Sequence, residues 1–427
     1  MQKPITVAIA GCGSRGKDTY APLAERFPDK MKIVAAADID PAKLEDVKNR
    51  YHVPAENCFA SAEEMLAQPK LADVMFICTM DKQHVRQAIP ALRLGYDLVL
   101  EKPISPDLDE CREIIRVANE CGRKVIVCHV LRYTPFYNKL KELLDSGVIG
   151  EIVNVNAFEN VGYWHQAHSF VRGNWRNDQE TSPMILQKSC HDMDILLWLT
   201  GKKLKSVSSY GNTYLFRADK APEGSALRCQ DCKVRANCPF DAEKIYITDE
   251  ATGVAHGHNG WPCDVVTLHP TVESVREALK TGPYGRCVYH CDNNVVDHQI
   301  VNMEMEDGST INFTMCAFTA KGGRFTRVMG TRGDIVADMA KNTIQINRFG
   351  EEPELIDVNK LTDDFAGHGG GDSRMVEEFL DHLITGEAPT IRTTSLERSI
   401  ESHFAALAAE KSRKEGGRVV ELSEIRG

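Results

Sequence analysis

Ile5-Thr6-Val7-Ala8-Ile9-Ala10-Gly11-Cys12-Gly13-Ser14-Arg15-Gly16 is an apolar strand that runs straight into a glycine-rich turn. A second apolar run, Met31 to Ala37, ends in an acid, Asp38. A strand, a G-x-G-x-x-G turn, a helix and a second strand ending in a carboxylate make a dinucleotide-binding unit. Gly11 allows the tight turn, Gly13 lets backbone approach a pyrophosphate, and Gly16 lets helix and strand pack closely. The helix N-terminus, with Ser14 and Arg15, offers free N–H groups and partial positive charge to phosphates. Asp38 is suited to accept hydrogen bonds from the adenosine ribose. A 2′-phosphate would meet a like charge there, so NAD is expected over NADP.

Working outward, the chain has 427 residues, enough for about two to three domains. Its 42% hydrophobic and 26% charged residues suit a globular protein with buried cores. A net charge of −10 disfavours nucleic acid or an anionic membrane as partner. No run of about 18 apolar residues is present, and Met1 leads almost directly into the first strand. A cytoplasmic location is therefore expected. Of the 14 cysteines, eight are scattered through apolar or helical surroundings and read as small buried hydrophobes.

Strand and helix alternate up to about residue 128. Val74-Met75-Phe76-Ile77-Cys78 and Leu98-Val99-Leu100 read as buried strands, 81–94 and 108–121 as helices, and 124–130 as a further strand. This pattern implies a parallel sheet with right-handed crossovers. Past residue 130 the texture changes. Helices are expected at 136–146, 184–199, 373–385 and 395–415. Strands are expected at 149–159 and 204–217, with more between 295 and 349 forming an antiparallel or mixed sheet. The division expected is a Rossmann domain over 1–130 and an α/β domain over 131–427, interrupted by a loop-rich, cysteine-bearing insertion at about 218–293.

Several segments together resemble the Gfo/Idh/MocA family of NAD(P)-dependent oxidoreductases. They are the GCGSRG turn, Glu101-Lys102-Pro103 at a strand end, Leu131-Arg132-Tyr133-Thr134-Pro135, Cys190-His191-Asp192-Met193-Asp194, and Met375-Val376-Glu377-Glu378-Phe379-Leu380. The resemblance spans nearly the whole chain. It implies a Rossmann domain followed by an α/β domain with a large open, mostly antiparallel sheet, through which a homodimer or homotetramer forms.

Lys102 follows a buried strand at the carboxyl edge of the sheet, where such folds place ligands. There it can bond cofactor ribose and substrate hydroxyl and stabilise a developing alkoxide. His191 is the candidate acid–base, since removing hydride from an alcohol carbon requires that the hydroxyl proton leave too. Many family members carry an aspartate one turn before this histidine. This chain has Gln187 there, then Lys188, which could share the proton chemistry if burial lowers its pKa. Thr79, His84 and Glu101 are further cofactor-side candidates. Arg132, Tyr133, Trp164, His165, Arg172, Trp175, Arg176 and His368 are candidates for holding a carbohydrate, because aromatic faces and planar polar groups suit sugars. His368 and Asp372 flank three glycines in a loop able to close over substrate, and Asp372 could equally cap a helix.

Cys229-x-x-Cys232, Cys238-Pro239 and Cys287 have the look of a four-thiolate zinc site, with Cys291 as an alternative and His256, His258, His269 and His290 as other fourth ligands. A structural zinc would hold a segment otherwise short of core. An iron–sulfur cluster is less favoured, because few of the cysteines are closely spaced. The activity expected is NAD-dependent transfer of hydride from a secondary hydroxyl of a sugar, glycoside or cyclitol. The alternative is redox-neutral glycoside processing through a 3-keto intermediate, with the cofactor retained.

Overall fold

A computed structural model describes residues 3–426; Met1, Gln2 and Gly427, at the ends of the two expected domains, lie outside it. Six strands form the first sheet: β1 (Ile5–Ala10), β2 (Met31–Ala37), β3 (Cys58–Phe59), β4 (Val74–Ile77), β5 (Asp97–Leu100) and β6 (Val125–Val127). Their order is β3-β2-β1-β4-β5-β6 and every pairing is parallel. The order reverses beside β1, so its carboxyl end opens at the crevice where open α/β sheets bind ligands. β4 is buried along its whole length, as a strand covered by helices on both faces must be.

The second sheet has nine strands: β7 (Ile152–Asn160), β8 (Leu204–Asn212), β9 (His298–Met305), β10 (Thr310–Cys316), β11 (Gly323–Gly330), β12 (Gly333–Asp338), β13 (Thr343–Arg348), β14 (Glu354–Asp357) and β15 (Val420–Glu421). Their order is β14-β13-β12-β11-β7-β10-β9-β8-β15, and only the β7–β10 pair is parallel. Alternation is clean along β10, where Ile311, Phe313 and Met315 are buried. One face thus packs on helices and the other stays open. The short strands β3, β14 and β15 were not foreseen; two to four residues long, they pair at the sheet margins, where pattern is weak.

The helix Ala366–Thr385 lays Met375, Val376, Phe379 and Leu380 against Val7, Ile9, Tyr20 and Met31 of the first sheet's side. The C-terminal segment therefore completes the core of the N-terminal one.

Two expectations need correction. The single helix read at 184–199 is two, Met184–Gln187 and Cys190–Thr200, broken at Lys188 and Ser189. Gln187 and His191 are therefore not a turn apart on one continuous helix. The insertion is also not short of core. Phe216, Phe240, Ile245, Tyr246, Ile247, Val275, Leu279 and Val288 form a buried apolar cluster with Ala167 and Val171, and Val272–Thr281 is a helix closed by a capping box at Thr271.

Candidate active site

At the glycine turn, Gly11 has φ +93° and a Cβ there would come within 2.6 Å of the Cys78 carbonyl oxygen; one on Gly16 would lie 1.9 Å from the Gly11 oxygen. Neither position tolerates a side chain. A Cβ on Gly13 would meet nothing within 4 Å. Gly13 thus faces open space, as a backbone approached by a pyrophosphate must, beside the first turn of the Ser14–Tyr20 helix. Asp38 accepts from the backbone N–H of Cys12 (2.5 Å) and of Asp40 (2.8 Å). It closes the turn and, with several lone pairs per carboxylate, keeps acceptor capacity for ribose hydroxyls. The donor set and the open cradle fit a dinucleotide.

Arg15 does not turn to the phosphate side. Its guanidinium donates to Glu101 (2.5 Å), the Tyr20 hydroxyl (2.5 Å) and Asp372 (2.7 Å). Against the cost of burial, Arg15 and Lys102 hold Glu101 below the usual carboxylate range. Glu101 also accepts from the backbone N–H of Lys102 (3.0 Å), fixing where that lysine starts. The Lys102–Pro103 peptide bond is cis. His84, buried, sets its ring nitrogens against the Pro103 (2.7 Å) and Thr79 (3.0 Å) carbonyls, while the Thr79 hydroxyl donates to Gln87 (2.7 Å). This pair braces two loops at the sheet edge.

Lys102 Nζ donates to the Gln187 carbonyl oxygen (2.9 Å), so its ammonium reaches the segment leading into His191. His191 is buried, and its Nδ1 is sealed without a partner. Burial first, then the charge of Lys102, hold its pKa well below the ordinary value. The imidazole is neutral and able to accept a proton. Its ring centroid lies 5.9 Å from that of His129 and 5.8 Å from that of His368. Lys188 turns instead to Glu159 (3.1 Å), a buried carboxylate on β7. Arg324 on β11 ties the same Glu159 (2.9 Å) to Asp192 (2.7 Å), the neighbour of His191. Burial pushes Asp192 up despite Arg324.

Trp164 and His165 stack, and both meet Trp261 of the insertion at 5.0 and 4.8 Å between centroids. Burial and the charge of Lys188 hold His165 well below its ordinary pKa. This aromatic shelf, to which the insertion contributes Trp261, borders the Lys188–Lys102 region.

Five sequence-chosen residues are spent elsewhere. Arg132 makes a buried bidentate pair with Asp194 (2.7 and 2.6 Å), fastening the turn after β6 to the His191 helix. Tyr133 accepts from the Thr394 N–H (3.0 Å). Arg172 donates to the carbonyls of Arg286 (2.7 Å) and Phe240 (2.6 Å) and to Cys229 Sγ (3.3 Å). Trp175 donates to Asp81 (3.2 Å), and Arg176 forks onto Asp292 (2.7 and 2.8 Å). In each case a buried or planar group finds a protein partner, which residue type alone does not reveal.

The zinc expectation finds no support. Among the described residues no three or more His, Cys, Asp or Glu side chains are grouped to hold a metal ion. Cys229 is engaged by Arg172, and Cys291 donates to the Cys287 carbonyl (3.3 Å). Cys232, Cys238 and Cys287 are free thiols, the last two packed in or against the apolar cluster described above. That cluster supplies the cohesion a metal was invoked to give.

Glu159, Asp192, Arg324, His129 and Trp261 were missed as site residues. Asp192 alone carried a signal, as the neighbour of His191. Glu159 and Arg324 are paired by the β7–β11 register, His129 follows β6, and Trp261 comes from a distant loop of the insertion.

Known proteins share this fold and family. Among curated proteins, the chain is 24% identical over 414 residues to the putative oxidoreductase YteT of Bacillus subtilis, covering 90% of each. It is 25% identical over 223 residues to inositol 2-dehydrogenase of Corynebacterium glutamicum, covering 48% of this chain and 57% of that one. Among solved structures, an Agrobacterium radiobacter oxidoreductase in complex with NAD+, L-tartaric acid and magnesium superposes with a TM-score of 0.69 at 14% identity, over 99% of this chain and 100% of that one. The WlbA dehydrogenase of Bordetella pertussis, in complex with NADH and UDP-GlcNAcA, gives 0.69 at 17% identity over 99% and 98%. The family model for the oxidoreductase family's NAD-binding Rossmann fold matches residues 5–129, and that for its C-terminal alpha/beta domain matches 141–422. The chain belongs to the Gfo/Idh/MocA oxidoreductase family and carries that family's NAD-binding Rossmann fold.

Proposed function

We propose that this oxidoreductase removes hydride from a secondary hydroxyl of a sugar, glycoside or cyclitol. The observation that carries the reading is the buried His191 imidazole, its Nδ1 unpartnered, with the Lys102 ammonium held at the Gln187 carbonyl four residues before it at the carboxyl edge of the first sheet. Gly11, Gly13, Gly16 and Asp38 would hold NAD, which would supply the hydride acceptor. Lys102 orients the substrate hydroxyl and stabilises negative charge developing on its oxygen. His191 takes the hydroxyl proton; a general base of this kind contributes about 10²–10⁴-fold. Trp164, His165 and Trp261 offer aromatic faces to the C–H surface of a ring. The test is NADH absorbance with purified protein, NAD and a panel of sugars, glycosides and inositols. Steady growth with one class supports the reading, and no growth with any opposes it.

One observation favours the redox-neutral alternative. Burial, with Asp18 nearby, pushes the Asp264 carboxyl up to about 6. Asp18 lies in the Ser14–Tyr20 helix after the glycine turn, so this part of the insertion lies near the cofactor-binding end. Nucleotide released only on denaturation, with glycoside cleavage and no NADH accumulation, would establish that variant.

The open sheet face carries a register-matched row, Tyr210, Ile300, Thr314, Phe158 and Phe325, crossing five strands. Tyr210 is 53% exposed and Phe158 39%. We take this row as the contact of a homodimer or homotetramer, which light scattering tests against a Phe158→Lys variant. A cytoplasmic location stays part of the proposal; no helix among the described residues is long and apolar enough to cross a membrane.

A further inference from the structure

His191 is only 4% exposed, so the proton it takes needs a path out. Four imidazoles stand in a row: the ring centroids of His403 and His129 are 5.6 Å apart, those of His129 and His191 5.9 Å, and those of His191 and His368 5.8 Å. The His403 end is closed. Its Nε2 accepts from the Ile104 N–H (2.7 Å), which leaves Nδ1 to donate to the Ser399 carbonyl (3.1 Å). It cannot take a proton without losing the Ile104 bond. His129 is fully buried with neither nitrogen partnered.

The His368 end is open. Its side chain is 41% exposed, and its Nδ1 lies 2.9 Å from Asp372 Oδ2. The other Asp372 oxygen accepts from Arg15 (2.7 Å). Despite burial, Arg15 and His368 keep Asp372 well below the usual carboxylate range, so it stays an acceptor. The Nδ1–H of His368 therefore donates to Asp372, and its Nε2 is left to accept. His368 has φ +38° within a run of left-handed residues, Gly367, Gly369 and Gly370 being the others. A non-glycine residue there is strained, and strain of this kind gathers at functional sites.

We propose that His368, locked in one tautomer by Asp372, is the proton exit of His191. This rests on the dehydrogenase reading above. The carbinol carbon loses hydride to the nicotinamide dinucleotide as its O–H bond breaks and C=O forms. The proton goes to neutral His191, then to Nε2 of His368, directly or through one water, and leaves to solvent. Asp372 supplies, from the glycine loop, the carboxylate that Gln187 does not. The charged and titratable groups facing the pair are Lys102 at the sheet edge, His129 after β6, Arg324 from β11, Asp192 on the same helix, and Asp372 with Arg15.

The test uses NAD-loaded protein. In dilute buffer, His368→Gln should oxidise substrate about 10-fold or more slowly, and added imidazole should restore it, while wild type ignores imidazole. Nitrogen-15 NMR of the imidazoles should show wild-type His368 as a single Nδ1–H tautomer that Asp372→Asn releases. A His368→Gln rate equal to wild type, a loss that imidazole does not restore, or a mixed wild-type tautomer would each overturn the proposal. If wild type oxidises nothing in the panel, the dehydrogenase reading fails by itself, and the tautomer measurement still decides the His368–Asp372 pair.

Discussion

The glycine turn at 11–16 and the insertion at 218–293 place opposite demands on a reader of this chain. At the turn, the constraints are nearly all local: Gly16 lies against Gly11 five residues away, and Asp38 closes the loop from the next strand. Its residue types are dictated by backbone geometry, so the sequence announces them. The insertion is organised by distant contacts. Arg172 reaches Phe240 and Arg286, and Trp261 reaches Trp164. Its cysteine spacing suggested a metal, yet buried apolar side chains hold it together. Residue spacing is informative where the chain itself makes the site, and misleading where packing does.

The largest expected effect breaks the turn. Gly16→Ala places a methyl into backbone and should cost on the order of 4 kcal/mol, read as a fall in the denaturant midpoint. Gly13→Ala should leave that midpoint unchanged but weaken NAD binding by calorimetry, because its Cβ would fill only the cofactor's space. The insertion counterpart is Arg172→Met. It leaves the Phe240 and Arg286 carbonyls unpaired at about 1–3 kcal/mol each, and proteolysis should then cut the insertion first. Chelator should not lower the melting temperature of the wild type if the apolar cluster supplies the cohesion.

Acid sharpens the comparison at the site between them. His129, His168, His191 and His403 are all depressed below the ordinary value, His168 and His403 to about 3. The unfolded chain binds protons that the folded one refuses. Stability is therefore full above about pH 6.5 and falls below it, by up to about 1.4 kcal/mol per pH unit for each imidazole. Melting temperatures from pH 7.5 to 5 should fall, and His403→Gln should flatten the slope. The smallest effect is at Asp264. Its raised pKa favours the protonated folded state, so that contribution is lost as pH rises from about 4 through about 6. Asp264→Asn should remove it, seen as slower hydrogen exchange in the 263–266 turn at pH 7.

How much of this was legible divides along the same line. The strands β1, β2, β4, β5 and β6 and their parallel pairing follow from apolar runs separated by helices, but their order in the sheet does not. Lys102 and His191 stand out in the sequence as a strand-end lysine and a helix histidine, and the fold sets both at the carboxyl edge of the first sheet. The protein partners of Arg132, Tyr133, Arg172, Trp175 and Arg176 were not legible, because a polar residue in a promising segment says nothing about which protein group it will find. The ion network of Glu159, Asp192 and Arg324 was hidden because the β7–β11 register that pairs Arg324 with Glu159 is a long-range fact.

The most direct measurement compares wild type with His191→Asn, following NADH formation and NAD binding on the same samples. The account predicts unchanged NAD affinity with the rate of oxidation reduced about 10²–10⁴-fold. An unchanged rate, or a loss of rate matched by a loss of NAD binding, would contradict the role given to His191.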